Sequence, residues 1–338
     1  MTEKIAKKWL IVAPMVHLTV SDDPPIHGRW QVGDVTFFSK GALEERLAEQ
    51  HPLNPIKRQF LTQGFTSFAV MERGGATEID KTTAFSELRQ AALILAASTA
   101  FSITRSDHKG FGIIGDPQLS NKRVICLEKY GEGFDGTLEN LGTMISFKLD
   151  SIWHQAIVGT RILELFNRIT DSNLDADWRR QIRQSAAMLG RSIISLELSD
   201  AFLFNVIALE TLLTTKGHRN GKSLSRRIKG LTGWQFEGSN VDYERHITDI
   251  HNVRCEIVHD SDYRNLTVEN LLWADLFLKN CLLNVVVNPN WFTSKDKMAK
   301  LVDDFANTNK WPRDGSVTLQ WCESNKCLDP TGISLYLY

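Results

Sequence analysis

Through the first 150 residues the apolar positions come in short runs broken by turn-forming residues. Leu10–Val20, Trp30–Ser39, Ser67–Met71, Val124–Leu127 and Met144–Leu149 read as strands. Each is rich in β-branched or aromatic residues and bounded by Gly, Pro, Asp or Asn. Between them, Gly41 to Gln50 predicts a short helix stopped ahead of Pro52, and Thr82–Phe101 a longer Ala- and Leu-rich one opened by Thr82 or Thr83. This half is α+β and carries no catalytic motif.

From Ser151 the spacing of apolar residues changes to steps of three and four. Trp153–Ile169, Asp177–Ser192, Ser195–Thr214, Ser223–Leu231, Val241–His259 and Val268–Val287 all predict helices, separated by short polar clusters such as Asp171-Ser-Asn and Asp260-Ser-Asp. Helices in series with short connections make a bundle. After Asn288-Pro-Asn the chain turns polar, with Trp291, Trp311 and Trp321 as isolated anchors. The expected order is an α+β N-terminal domain (1–150, a sensor or regulator), an all-α helical bundle (151–290), and an extension (291–338) packed on the bundle or the first domain. No internal repeat is evident.

Composition narrows the classes. A length of 338 residues suits about two domains. With 39 Lys and Arg against 40 Asp and Glu, the net charge of −1 argues against a uniformly basic nucleic-acid coat and leaves room for a local basic patch. Five scattered cysteines are not a disulfide scaffold, and a cytoplasmic location is expected. Lys4, Lys7 and Lys8 ahead of Trp9–Val16 mimic a signal peptide, but Pro14 and His17 interrupt the apolar run, which reads as a buried strand. No run approaches the ~18–20 apolar residues of a membrane helix.

Two motifs tempt and fail. Gly217-His-Arg-Asn-Gly-Lys-Ser resembles the end of a phosphate-binding loop, but it has one residue too few between its glycines and follows a helix where a strand is needed. Cys322 and Cys327 have no second ligand pair to complete a tetrahedral zinc site. No metal and no cofactor are therefore expected.

The segment Val241–Asp260 carries the candidate chemistry. Tyr243, Ile247, Ile250, Val253 and Ile257 form one apolar helix face. Arg254 lies about 40° from Ile250 and about 60° from Ile257, at the edge of that stripe. A half-buried guanidinium needs an anion, either an internal carboxylate or a substrate phosphate. His259 follows at the helix end. Such a pair suits metal-free RNA cleavage: the histidine moves a proton at the ribose 2′-OH or the leaving 5′-oxygen, and the arginine holds the phosphate. On an ideal helix the two side chains stand about 140° apart, so they meet only through Arg reach, a loosened last turn, or a pocket shared between subunits. Asn252 lies about 20° from His259 and can support it. Glu210, in the apolar run Val206–Leu213, either orients Arg254 or forms an ordinary buried ion pair. The same spacing recurs at Arg46 and His51, and context decides between the two.

That context is Asn205-Val-Ile-Ala-Leu-Glu-Thr-Leu-Leu, a Gly- and Lys-rich turn, Ser223-Leu-Ser-Arg-Arg-Ile, and Asn252-Val-Arg-Cys-Glu-Ile-Val-His-Asp. Together these resemble the HEPN superfamily (higher eukaryotes and prokaryotes nucleotide-binding), most closely its ApeA-like branch, from about Trp153 to Val287. The resemblance implies a dimeric all-α bundle in which the Arg and His of both subunits meet. It further implies a metal-independent endoribonuclease, often a toxin or an antiphage abortive-infection effector, with those roles falling on Arg254 and His259. Cys255 departs from the family pattern, which often has Asn, Asp or His after the Arg. The implied partners are RNA, a second copy, and a phage-derived trigger or regulator at the N-terminal domain. Lys216, Arg219, Lys222, Arg226 and Arg227 form a basic run that either tracks an RNA backbone or is a solvated helix flank. The competing class is a catalytically inactive HEPN module that binds nucleic acid or protein.

Overall fold

The computed structural model describes residues 8–50, 62–74, 81–101, 110–114, 122–130, 133–141, 146–195, 197–215, 221–312 and 315–322. The apolar run expected as one strand from Leu10 to Val20 is broken at His17, whose φ of 57° is left-handed. Before the break, β1 (Lys8–Val16) lies inside an antiparallel sheet; after it, β2 (Leu18–Val20) leaves to pair in parallel with Phe147–Leu149. The run Trp30–Ser39 is likewise two strands, β3 (Arg29–Val32) and β4 (Val35–Ser39). Gly33, at φ 60°, takes the first central position of the two-residue turn between them, where a type II′ hairpin calls for glycine. With β5 (Ser67–Gly74) and β6 (Gly112–Ile113), the sheet order is β3-β4-β5-β1-β6. The strands β7 (Lys122–Tyr130) and β8 (Gly133–Leu141) form a separate antiparallel pair, and β9 is Phe147–Leu149.

Alternation along β4 and β5 splits the sheet's two faces. Phe38, Phe68 and Val70 meet Leu43 and Leu47 of α1 (Lys40–Gln50) in a small cluster. Phe37, Ala69 and Met71, on the other face, belong to the main core with α2 (Lys81–Thr99). That core runs without a break into the second half of the chain.

The helices there are α3 (Ser151–Gly159), α4 (Leu163–Arg168), α5 (Ala176–Ile194), α6 (Leu198–Leu213), α7 (Gly221–Thr232), α8 (Tyr243–Cys255), α9 (Val268–Val286) and α10 (Lys295–Thr308). An α+β region followed by a mainly helical one is thus the observed layout. Trp153–Ile169, expected as one helix, is two, separated at Arg161 with φ 59°. The long helix α2 packs along α5 so closely that a Cβ on Gly190 would lie 1.8 Å from the Leu93 carbonyl oxygen. Lys279 of α9, 4% exposed, donates from Nζ to the Ala100 carbonyl oxygen at 3.1 Å, just past the end of α2. A buried ammonium there finds the negative end of a helix. The two halves are joined through these contacts.

Helix α9 is the centre of the bundle and starts from a capping box between Thr267 and Asn270. The polar reading of residues 291–338 passes over α10, an amphipathic helix capped by Ser294 whose Met298, Val302 and Phe305 are buried. No described helix is long and apolar enough to cross a membrane.

Candidate functional site

Helix α8 is opened by Asp242, whose side chain accepts from the Arg245 backbone N–H at 3.1 Å. Its expected apolar face is the buried one: Ile247, Ile250 and Val253, continued by Ile257. Arg254, on the edge of that face, points back towards α6. Its Nε stands 3.2 Å from Glu210 Oε1, and its Nη2 donates to Oε2 at 3.5 Å. The side chains are 25% and 32% exposed, so water reaches both. Glu210 lies in the apolar run of α6 because its partner arrives from another helix, which satisfies the need for an anion on Arg254.

The pair sits on the wall of a cavity of about 930 Å³ bordered by α5, α6, α8 and the first turns of α7 and α10. His251, one turn before Arg254, lines it too. The imidazole lies over Gly221, where a Cβ would come within 2.3 Å of Nε2, so a bare α-carbon at the start of α7 leaves the ring its room. Cys255 Sγ approaches the same nitrogen at 3.8 Å. The lining carries the carboxylates of Asp175, Asp177, Glu210 and Asp296 against the cations Arg254 and Lys295. Asp175 accepts from the Trp178 N–H at 2.9 Å, Asp177 pairs with Arg180 at 3.0 Å, and Lys295 donates to the Thr211 carbonyl oxygen at 2.7 Å.

His259 is placed differently. After Cys255 the helix widens into a single π turn, Glu256–Asp260, which ends where Ser261 adopts φ 53° and donates its N–H to the Glu256 carbonyl oxygen. Wider turns rotate less per residue, so this one narrows the ~140° offset of an ideal helix between Arg254 and His259. It does not close it. His259 and Asn252 are exposed, and neither lines the cavity. Val258 and Tyr263, 50% and 52% exposed, flank His259 in the chain. Within one chain Arg254 therefore meets Glu210 and makes no hydrogen bond to His259.

The basic run divides as well. Lys216 and Arg219 lie outside the described residues, and Lys222 is exposed. Arg226 and Arg227 converge on one carboxylate, Asp303 of α10, at 2.9 and 3.2 Å. Arg227 is 3% exposed and also donates to the Leu213 carbonyl oxygen, so this residue of the expected RNA-binding set is an interior strut. The spacing decoy is engaged elsewhere: Arg46 pairs with Glu72 and lies over the Phe38 ring, and His51 is outside the described residues. Among the described residues no group of three or more His, Cys, Asp or Glu is placed to hold a metal.

Set beside protein-family models, curated proteins and solved structures, the chain matches none.

Sequence reasoning passed over His251 as a neighbour of Arg254, although their spacing of three puts them on one helix face. It also passed over Asn280, Asn284 and Asn288, a run at intervals of four that starts in the most buried helix of the bundle and ends just past it.

Proposed function

We propose that the helical half is a HEPN-type, ApeA-like, metal-independent endoribonuclease, with Arg254 and His259 as the reacting pair in a site completed by a second copy of the chain. The observation carrying this reading is the split placement: Arg254 is held by Glu210 at the cavity wall, while His259 stands exposed on a widened helix end. A two-fold axis beside that end would set Arg254 of one copy near His259 of the other, and the exposed Val258 and Tyr263 supply apolar surface for the contact.

In the reaction, the ribose 2′-oxygen attacks the adjacent phosphorus and the bond to the 5′-oxygen breaks. One histidine takes the 2′ proton and the histidine of the second copy protonates the leaving oxygen. Arg254 holds the phosphate and balances the charge that builds on it. Asn252 supports His259, and Glu210 orients Arg254. Lys222 and Arg226 are the described residues of the basic run left to meet an RNA backbone, and Lys216 and Arg219 would extend it. By the same resemblance the protein acts in the cytoplasm as an antiphage, abortive-infection or toxin effector, and the sheet-bearing half takes the trigger.

The test is incubation of the purified protein with total RNA. Cleavage should be lost in Arg254→Ala and His259→Ala and kept in Arg46→Ala, which alters the same spacing in the wrong place. A protein that sediments as a monomer and still cleaves would defeat the shared site.

A second reading, a catalytically silent module that binds nucleic acid or protein, draws on the cavity's carboxylates, on Glu210 neutralising Arg254, and on Cys255 after the arginine. RNA binding without cleavage under every condition would select it.

A further inference from the structure

Asn280 and Asn284 on α9 and Asn288, two residues past its end, lie in one row at 0, 0 and 3% exposure. Opposite them runs an extended stretch of chain, residues 317–322. Each asparagine treats one alternate residue of that stretch as a neighbouring strand would. Asn280 Oδ1 accepts from the Cys322 N–H at 2.7 Å, and its Nδ2 donates to the Cys322 carbonyl oxygen at 3.2 Å. Asn284 does the same to Gln320 at 2.7 and 3.0 Å, and Asn288 to Thr318 at 2.8 and 2.8 Å.

The match has a geometric cause. Four helical residues rise about 6 Å, and two residues of extended chain span about 6.6–6.8 Å. Side chains every fourth position on a helix therefore stay in step with every second residue of a strand over about three rungs, after which the drift exceeds what a short side chain can absorb. All six bonds end on main-chain atoms. Any extended segment with N–H groups at the paired positions can satisfy them, as in recognition by strand addition. Side-chain selection enters through the apolar contacts of the strap: Val317 and Cys322 are buried in the main core, Leu319 and Trp321 pack against it, and Trp321 stands edge-on to Phe236 with centroids 5.3 Å apart. Phe236 in turn stacks on Tyr243, the first residue of the helix that carries Arg254, at 4.7 Å. The Nδ2 groups also donate to the Leu276, Asn280 and Asn284 carbonyl oxygens. An empty groove would therefore deprive the three Oδ1 atoms of their N–H donors, at about 1–3 kcal/mol for each acceptor left unpaired, and the ladder favours an extended occupant.

We propose that the Asn280–Asn284–Asn288 ladder is a polypeptide-binding groove with residues 317–322 as its tethered occupant. Its ligand in trans is an extended segment of a partner polypeptide, free of proline at the paired positions and carrying an aromatic side chain against Phe236.

The probe is a fluorescent peptide of residues 315–322, titrated by anisotropy into the full chain. Wild type should not take it up, because the tethered copy competes at an effective concentration on the order of millimolar. The double variant Thr318→Pro, Gln320→Pro removes the two N–H groups that Asn288 and Asn284 accept, and should bind the peptide saturably. Adding Asn284→Leu should weaken that binding at least tenfold, as should proline at the same positions of the peptide. A peptide with Thr318 and Gln320 changed to Ala should bind within a few-fold of the parent.

Failure of the double variant to bind, with its strap shown by hydrogen exchange to be released, would overturn the groove. So would equal binding of the proline peptide. If the double variant does not fold, hydrogen exchange in the otherwise intact chain decides: Gln320→Ala should leave residues 317–322 protected and Asn284→Leu should open them. The reverse result would sink main-chain reading.

Discussion

Arg254 and Glu210 face each other at 3.2 Å across two helices, 44 positions apart in sequence, on the wall of a large cavity that both line. The pairing holds the guanidinium in place. Because both side chains keep a quarter to a third of their exposure, the pair should contribute about 1 kcal/mol rather than the several expected of a fully buried bridge. A double-mutant cycle with Glu210→Gln and Arg254→Met, read by urea denaturation, should return a coupling of that size. A coupling near zero would mean that the two side chains do not orient each other.

Under the proposed function, cleavage should persist in EDTA, since no described cluster is placed for a metal and the Arg–His pair supplies both charge and proton transfer. Products should end in 2′,3′-cyclic phosphate or its opened form, because the adjacent 2′-oxygen is the nucleophile. End-group analysis of the fragments reads this directly. Loss of cleavage in EDTA that Mg²⁺ restores would transfer the reaction to another class.

What the sequence made legible was what depends on neighbours along the chain. The stripe Ile247, Ile250, Val253, Ile257 fixed the inner face of α8, and with it Arg254 at the edge. A lone Glu210 among leucines marked itself as needing a partner. Hidden were features decided by single backbone angles or by distant partners. His17 at φ 57° and Gly33 at φ 60° each end a strand inside a stretch read as one, because a strand pattern survives a turn that periodicity does not register. Arg227 looked like part of a basic surface, since its partner Asp303 lies 76 positions away on a helix whose stripe of Met298, Val302 and Phe305 was obscured by polar neighbours. Asn280, Asn284 and Asn288 were visible at their spacing of four, but their meaning rests on an extended segment 30 to 42 positions downstream.

Gly190→Ala should be among the costliest small substitutions in the chain. The added Cβ meets backbone, the Leu93 carbonyl oxygen at 1.8 Å, so α2 and α5 must part. Overpacking typically costs about 1–3 kcal/mol and occasionally more; a clash with backbone belongs at the upper end, above the ~1 kcal/mol that alanine gains over glycine within a helix. Gly159, with nothing within 4 Å of its Cβ position, is the control: alanine there should leave stability unchanged or slightly raised. Urea midpoints of the two variants test the contrast, and equal midpoints would show that the two halves are not closely packed at Gly190.

His246 makes stability depend on pH in one direction. Its ring stacks on Trp273 with centroids 4.1 Å apart, and burial there pushes its pKa below 6.5, against the opposing pull of Glu269 at 3.9 Å. In the unfolded chain the imidazole takes up a proton as pH falls through 6.5; in the folded chain it resists until the lower folded value is reached. The unfolded state then binds more protons than the folded one. Stability contributed by the neutral ring is whole above pH 6.5, drains as pH falls below it, and stops falling once the folded ring is protonated as well. His246→Phe keeps an aromatic ring against Trp273 but cannot titrate. Melting temperatures taken from pH 7.5 down to 5.5 should therefore fall less steeply in His246→Phe than in the wild type, whatever the offset between the two curves at pH 7.5. Parallel curves would mean that His246 is as free to protonate in the fold as out of it, and that its stacking on Trp273 does not exclude water.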